Sequence, residues 1–259
     1  MKHVFISPVT KVIVYTLALL TFFPAAFSAT AASDAGEPLQ ALVQGEELYS
    51  RARRMFYNDE SEPETIGGSL RTARELFKQL PEGDEKYCHL ALVEFLLAEI
   101  SEAAGKNNEA ARAFSTAGDL AQKALEFNEK SSDARRILAD TYMRLMEYKG
   151  TLYMITKGPQ ARTLLNKAVQ LDPQNYAAYN SLGIYYLNAP AIGGGSLNRG
   201  IDTLHLALES DDEFDNFISH IWLGIAFREK NDHEKARAHL QKALVTYSNS
   251  SWAKSLLEL

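Results

Sequence analysis

The chain has 259 residues, 46% of them hydrophobic and 23% charged, enough for one or two ordinary domains with a sizeable core. Its 33 acidic residues outnumber 27 basic ones, giving a net charge of −6 that argues against nucleic acid as a partner. The single cysteine, Cys88, permits no intramolecular disulfide, so stability must come from packing, and a buried, inert thiol is the expected state.

Residues 1–28 form the first element. They carry a basic start (Lys2, Lys11), an apolar run Val12–Phe23 and no acid before Asp34, the pattern of a signal peptide. The run is shorter than the roughly 20 residues of a spanning helix. Ala26-Phe27-Ser28 or Ala29-Thr30-Ala31 supplies the small residues of a cleavage site, so cleavage is expected near 28–31, with 29–37 as a linker. No cysteine stands at the end of this leader, and no lipid anchor is expected. The mature chain, with 25 basic against 33 acidic residues once Lys2 and Lys11 are set aside, is expected in the periplasm of a Gram-negative source, or secreted otherwise.

From residue 38 to 259 the chain is rich in Ala, Leu, Glu, Lys and Arg, with apolar residues three and four apart and no alternating β-branched stretches. This predicts an all-α fold, its helices running in pairs between polar or Gly/Pro-rich breaks such as Asn58–Gly68, Pro81–Asp84, Asn128–Asp133, Asp172–Asn175 and Asn188–Gly195. In chain order, Leu39–Tyr57 pairs with a helix marked by Ala73 and Phe77. Leu97-Ala98, Gly105, Ala110, Phe114 and Ala117 mark the next pair. Leu138-Ala139 and Tyr142 are followed, after ten extra residues, by Ala161, Leu165 and Ala168; Tyr179, Leu182-Gly183 and Tyr186 by Gly200, Leu204 and Ala207 after five; and Leu223-Gly224 and Phe227 by Ala236, Leu240 and Ala243.

These positions resemble the tetratricopeptide (TPR) pattern, in which each unit of about 34 residues is two antiparallel helices with small residues at their crossing. The resemblance implies a helical-hairpin solenoid of about five partly degenerate repeats, enough to bury their faces. The stretch Gly-Gly-Ser-Leu occurs at 67–70 and at 194–197. Each copy reads as an elongated turn whose serine, Ser69 or Ser196, caps the following helix. A phosphate cradle is not expected there, because no Lys-Ser/Thr pair follows and no strand precedes. The long loop NAPAIGGGSLNRG, with the overall helix plan, is similar to the exported T component associated with TRAP-type (tripartite ATP-independent periplasmic) solute transporters. That narrower resemblance implies a periplasmic solute-binding protein as partner and a hydrophobic or organic-acid ligand.

No catalytic constellation has motif-grade spacing, and an enzyme is not expected; nor is a cofactor or a bound metal. No two histidines stand three or four apart to converge on one metal, and His220 reads as a packed core residue. The acids of Glu209–Asp215 lack the spacing of a calcium loop and read as a solvated turn.

A solenoid's first helices make its concave face, the usual site for a protein partner. The family's inward positions fall here on Phe95, Glu99, Arg136, Asp140, Met143, Asn180, Ile184, Leu187, Asn188, Ile221, Ile225 and Arg228. The apolar strip among them either binds a partner or is covered by the first helix or the tail Ser250–Leu259. The insertion MRLMEYKGTLYMITKG extends a first helix and offers Met146, Tyr148, Leu152, Tyr153 and Ile155 either as a hydrophobic ligand surface, as a contact with a second copy, or as core filling. The expected function is partner binding by an exported protein that acts as a transporter accessory; the alternative is a general scaffold for envelope assembly without a small ligand.

Overall fold

Five helices begin on a side chain well suited to start one. Ser131, Asn175, Ser196, Asp212 and Asp232 each stand before a helix and accept a backbone N–H from its first turn, satisfying a donor that has no partner within the helix. The computed structural model describes residues 36–258, and the predicted leader lies outside them. Ten α-helices occur among the described residues, with no strand. They are α1 (Gly36–Tyr57), α2 (Pro63–Phe77), α3 (Asp84–Ala103), α4 (Asn107–Phe127), α5 (Ser132–Leu171), α6 (Tyr176–Asn188), α7 (Leu197–Ala207), α8 (Glu213–Glu229), α9 (His233–Thr246) and α10 (Ser251–Glu258). None is long and apolar enough to cross a membrane.

Helix α5 is two arms. Gly150, at φ 76 and ψ −172, reverses the chain in a backbone region that favours glycine. The arms then run side by side, with Tyr142 and Tyr153 6.4 Å apart and the Lys157 Nζ 4.3 Å from the Tyr142 ring centroid. The insertion thus lengthens both helices of one repeat rather than the first alone. Together with α1/α2, α3/α4, α6/α7 and α8/α9, the α5 arms complete five hairpins stacked in chain order, and α10 caps the last.

Small residues let the helices cross closely. A Cβ on Gly183 would lie 2.7 Å from Cγ of Leu204, and one on Gly224 2.6 Å from Cγ of Leu240. In the cores of three different hairpins Phe77, Phe114 and Phe217 are fully buried, each contributing about 1.5–3 kcal/mol of apolar burial.

The two Gly-Gly-Ser-Leu copies differ. In the second, Gly194 is left-handed (φ 91) and Ser196 caps α7, as the sequence predicts. In the first, Pro63 occupies the opening turn of α2, the helix begins seven residues earlier than a Ser69 cap would place it, and Gly67–Leu70 lie inside it. Ser69 there caps nothing; its hydroxyl donates to the Thr65 carbonyl at 3.4 Å.

The ends of the stack meet. Arg53 of α1 pairs with Asp212, the cap of α8, at 3.1 Å, and its guanidinium lies 4.2 Å from the Phe214 ring centroid. Tyr57 packs against Phe214, Phe217 and Trp252. Beyond α1, Asn58 Oδ1 accepts from the Asn249 N–H at 2.8 Å, and Asp59 Oδ2 accepts from the Ser251 N–H at 2.7 Å, at the start of α10. The solenoid closes into a ring.

Candidate functional site: a concave chamber

Ring closure turns the concave face into a cavity of about 910 Å³. Both expected covers are used, since Tyr49, Arg53 and Tyr57 of α1 and Trp252 of α10 line it. Of the expected concave residues, Phe95, Glu99, Arg136, Asp140, Met143, Asn180, Ile184 and Asn188 are brought together on its wall. Four lie elsewhere. Ile221 is fully buried in the core beside Phe217 and Leu240, and Ile225 packs against that cluster. Leu187 fills the groove over Gly200, and Arg228, half-buried, is not part of the wall. The α8 helix is turned so that Phe214, Ile218 and Trp222 face the chamber instead. Four residues apart, these three form one stripe, a signal present in the sequence but displaced by three residues from the register assigned there.

The insertion residues divide in the same way. Met146 and Ile155 reach the chamber, Tyr148 and Tyr153 pack against Phe114 and its neighbours, and Leu152 is 77% exposed.

The chamber is apolar at large and charged in one band. Arg136 pairs with Asp140 at 3.2 Å, and Arg144 pairs with Glu102. The Tyr57 hydroxyl donates to Glu99 at 2.8 Å. Burial pushes the Glu99 carboxyl up to about 7, against the opposing pull of Arg144 and the Tyr57 hydroxyl. Burial also raises Asp140 and Asp215 despite their arginine neighbours. Three arginines line the wall, Arg53, Arg136 and Arg144; their Nε atoms, like those of Arg74 and Arg135 away from it, are buried without a hydrogen-bond partner.

A second cluster was hidden in the sequence. His205, His220 and His239 come from α7, α8 and α9 and lie ring to ring, with Nδ1 of His220 3.1 Å from Nδ1 of His239. Among the described residues, no group of three or more His, Cys, Asp or Glu side chains is arranged to hold a metal ion. Cys88 is buried, and burial pushes its thiol up to about 12.

Comparison with solved structures agrees with this architecture. The chain is similar to TTC0263, a thermophilic TPR protein in Thermus thermophilus, with a TM-score of 0.58 at 17% identity over 86% of this chain and 100% of that one. YrrB, a TPR protein with an unusual peptide-binding site, gives a TM-score of 0.41 at 17% identity, over 91% of this chain and 100% of that one. MamA from Desulfovibrio magneticus gives 0.39 at 18% identity, over 80% and 97%. No curated protein matches the chain. A tetratricopeptide repeat family matches residues 220–250, from the middle of α8 through α9 to the turn before α10. The family described as Regulator of microtubule dynamics protein 1-3 matches residues 48–190, from the cavity-facing half of α1 to the loop after α6 and more than half the chain. The chain is therefore a tetratricopeptide repeat protein and belongs to the regulator of microtubule dynamics protein 1-3 family.

Proposed function

We propose that the protein is an exported, non-enzymatic carrier whose closed concave face holds one amphipathic organic acid. The observation that carries this reading is the convergence of three arginines, Arg53, Arg136 and Arg144, on one wall beside apolar walls of Phe95, Met143, Ile184, Trp222 and Trp252. A carboxylate meets the arginines and the hydrocarbon or aromatic body meets the walls. The cavity volume is that of a small-molecule site. The activity named in the family's description, regulation of microtubule dynamics, would place the acceptor groups on a polypeptide; a chamber of this size favours a small ligand. The resemblance to the T component extends the reading: the loaded protein passes its ligand to a periplasmic solute-binding protein of a TRAP-type transporter. A general envelope-assembly scaffold would have no use for the arginine band.

The two tryptophans of the chain, Trp222 and Trp252, both line the chamber, so intrinsic fluorescence reports its occupant. Dodecanoate should alter the emission and dodecanol should bind more weakly. Arg136→Met should weaken dodecanoate by at least about tenfold. Equal affinity for acid and alcohol, or no response to either, would rule out the carrier reading. Cross-linking in the native compartment then tests the transporter partner, with Ile184→Arg as the control that fills the chamber.

A further inference from the structure

Two segments of unusual length, the α5 hairpin and the loop before α7, meet at one edge of the chamber. Arg162 of the second α5 arm donates to the Gly193 carbonyl at 3.2 Å and ties them together. Four large apolar side chains stand out from this edge. Ile192 is fully exposed, and Leu152, Ile155 and Met154 are exposed by 77%, 63% and 42%. Leu152 and Ile155 lie one turn apart on the same arm, close to its Gly150 turn. Such a group in water needs a reason.

The charge here opposes that of the chain. From Glu147 to Asp202 the sequence carries Lys149, Lys157, Arg162, Lys167 and Arg199 against Glu147, Asp172 and Asp202, a net of +2 in a protein of net charge −6. Lys149 and Lys167 are exposed.

We propose that this edge docks on an anionic lipid surface, with Leu152, Ile155 and Ile192 immersed in the interface and Lys149 at the level of the headgroups. Apolar side chains at the turn of a hairpin and on a three-residue 3₁₀ turn are projecting tips, which a deformable hydrocarbon interface accommodates without a matching pocket. The exposed Lys149 beside them has a stem long enough to reach headgroup charge. An acidic protein surface would satisfy the lysines and leave the projecting isoleucines and leucine in water. Met154, Ile155 and Ile192 also line the chamber, so the docked edge brings its opening to the lipid. The inference stands whatever the chamber holds.

The test is co-sedimentation of the chain without its apolar leader, which would itself insert, with vesicles of phosphatidylcholine alone or mixed with phosphatidylglycerol. Leu152→Glu and Lys149→Glu both lie outside the chamber wall. The parent should bind the mixed vesicles, and each variant should lose about tenfold in partitioning, as should the parent in high salt. Circular dichroism and the fluorescence response to dodecanoate should stay unchanged in both variants. Absence of binding to either vesicle would overturn the proposal, and so would undiminished binding by Leu152→Glu. Retention on immobilised polyglutamate without vesicle binding would overturn it too, assigning the edge to an acidic polypeptide.

Discussion

Arg53 and Asp212 stand 159 residues apart in sequence and 3.1 Å apart in space, and Asp212 serves twice. One carboxylate oxygen accepts the Phe214 and Asp215 amides as the α8 cap, and the other meets the guanidinium that joins the ends of the stack. Arg53→Met removes the latch, a part-exposed pair for which about 0.2–1 kcal/mol is usual, together with the guanidinium's contact with the Phe214 ring. Asp212→Ala removes the cap as well, which costs about 1 kcal/mol more. Thermal denaturation should therefore rank Asp212→Ala below Arg53→Met, and both below the parent; the reverse order would mean that the pair, not the cap, dominates.

Two glycines in helices should respond to alanine with opposite signs. A Cβ at Gly68 meets nothing closer than 4.0 Å, so Gly68→Ala should stabilise α2 by about 0.5–1 kcal/mol through the unfolded chain alone. Gly224→Ala gains the same helix preference but drives a Cβ to 2.6 Å from the branch point of Leu240, and overpacking of about 1–3 kcal/mol should outweigh it. Urea midpoints should move in opposite directions.

The Glu99 carboxyl, raised to about 7, makes acid binding depend on pH. Above that value its charge repels a carboxylate in the chamber; below it the proton removes the repulsion, and binding takes up a proton. Affinity for dodecanoate should rise as pH falls from about 8 to about 6. Glu99→Gln should hold the high affinity across the range, and a parent profile that is flat or inverted would contradict the assignment of Glu99 to the binding band.

His220 and His239 are both pushed down to about 4, chiefly by burial. A depressed folded-state value means that the neutral pair stabilises the fold above the ordinary histidine value of 6.5, and that this contribution is lost as pH falls through about 4. Glu99, raised from 4.5, acts with the opposite sign: its contribution is present below 4.5 and lost as pH rises through about 7. Comparing parent and His220→Gln isolates the histidines, and the variant should show the shallower loss of melting temperature on acidification between about pH 6.5 and 4.

The hairpin plan was legible because its signals are local: Gly183 before Leu204, Gly224 before Leu240 and the polar caps recur at repeat spacing. Eight of the twelve expected concave residues reach the chamber wall for the same reason. The first Gly-Gly-Ser-Leu copy misled because Pro63 can open a helix as readily as it can belong to a turn. On α8 the register slipped because Ile218, Ile221, Trp222 and Ile225 are apolar around most of the helix, leaving no polar face to orient it. Ring closure and the histidine cluster were invisible, since Arg53 and Asp212, or His205, His220 and His239, are brought together by how hairpins stack and not by any spacing along the chain.

An open array of repeats frays from its two outermost units, each of which has a neighbour on one side only. Here the first unit holds the last, through Asn58 to Asn249 and Asp59 to Ser251. No unit is outermost, so release of any one hairpin must strain the rest of the circle before it gains freedom. Melting is then a property of the whole circuit, and the chain should behave as one cooperative body where a linear solenoid of equal length would unravel piecemeal.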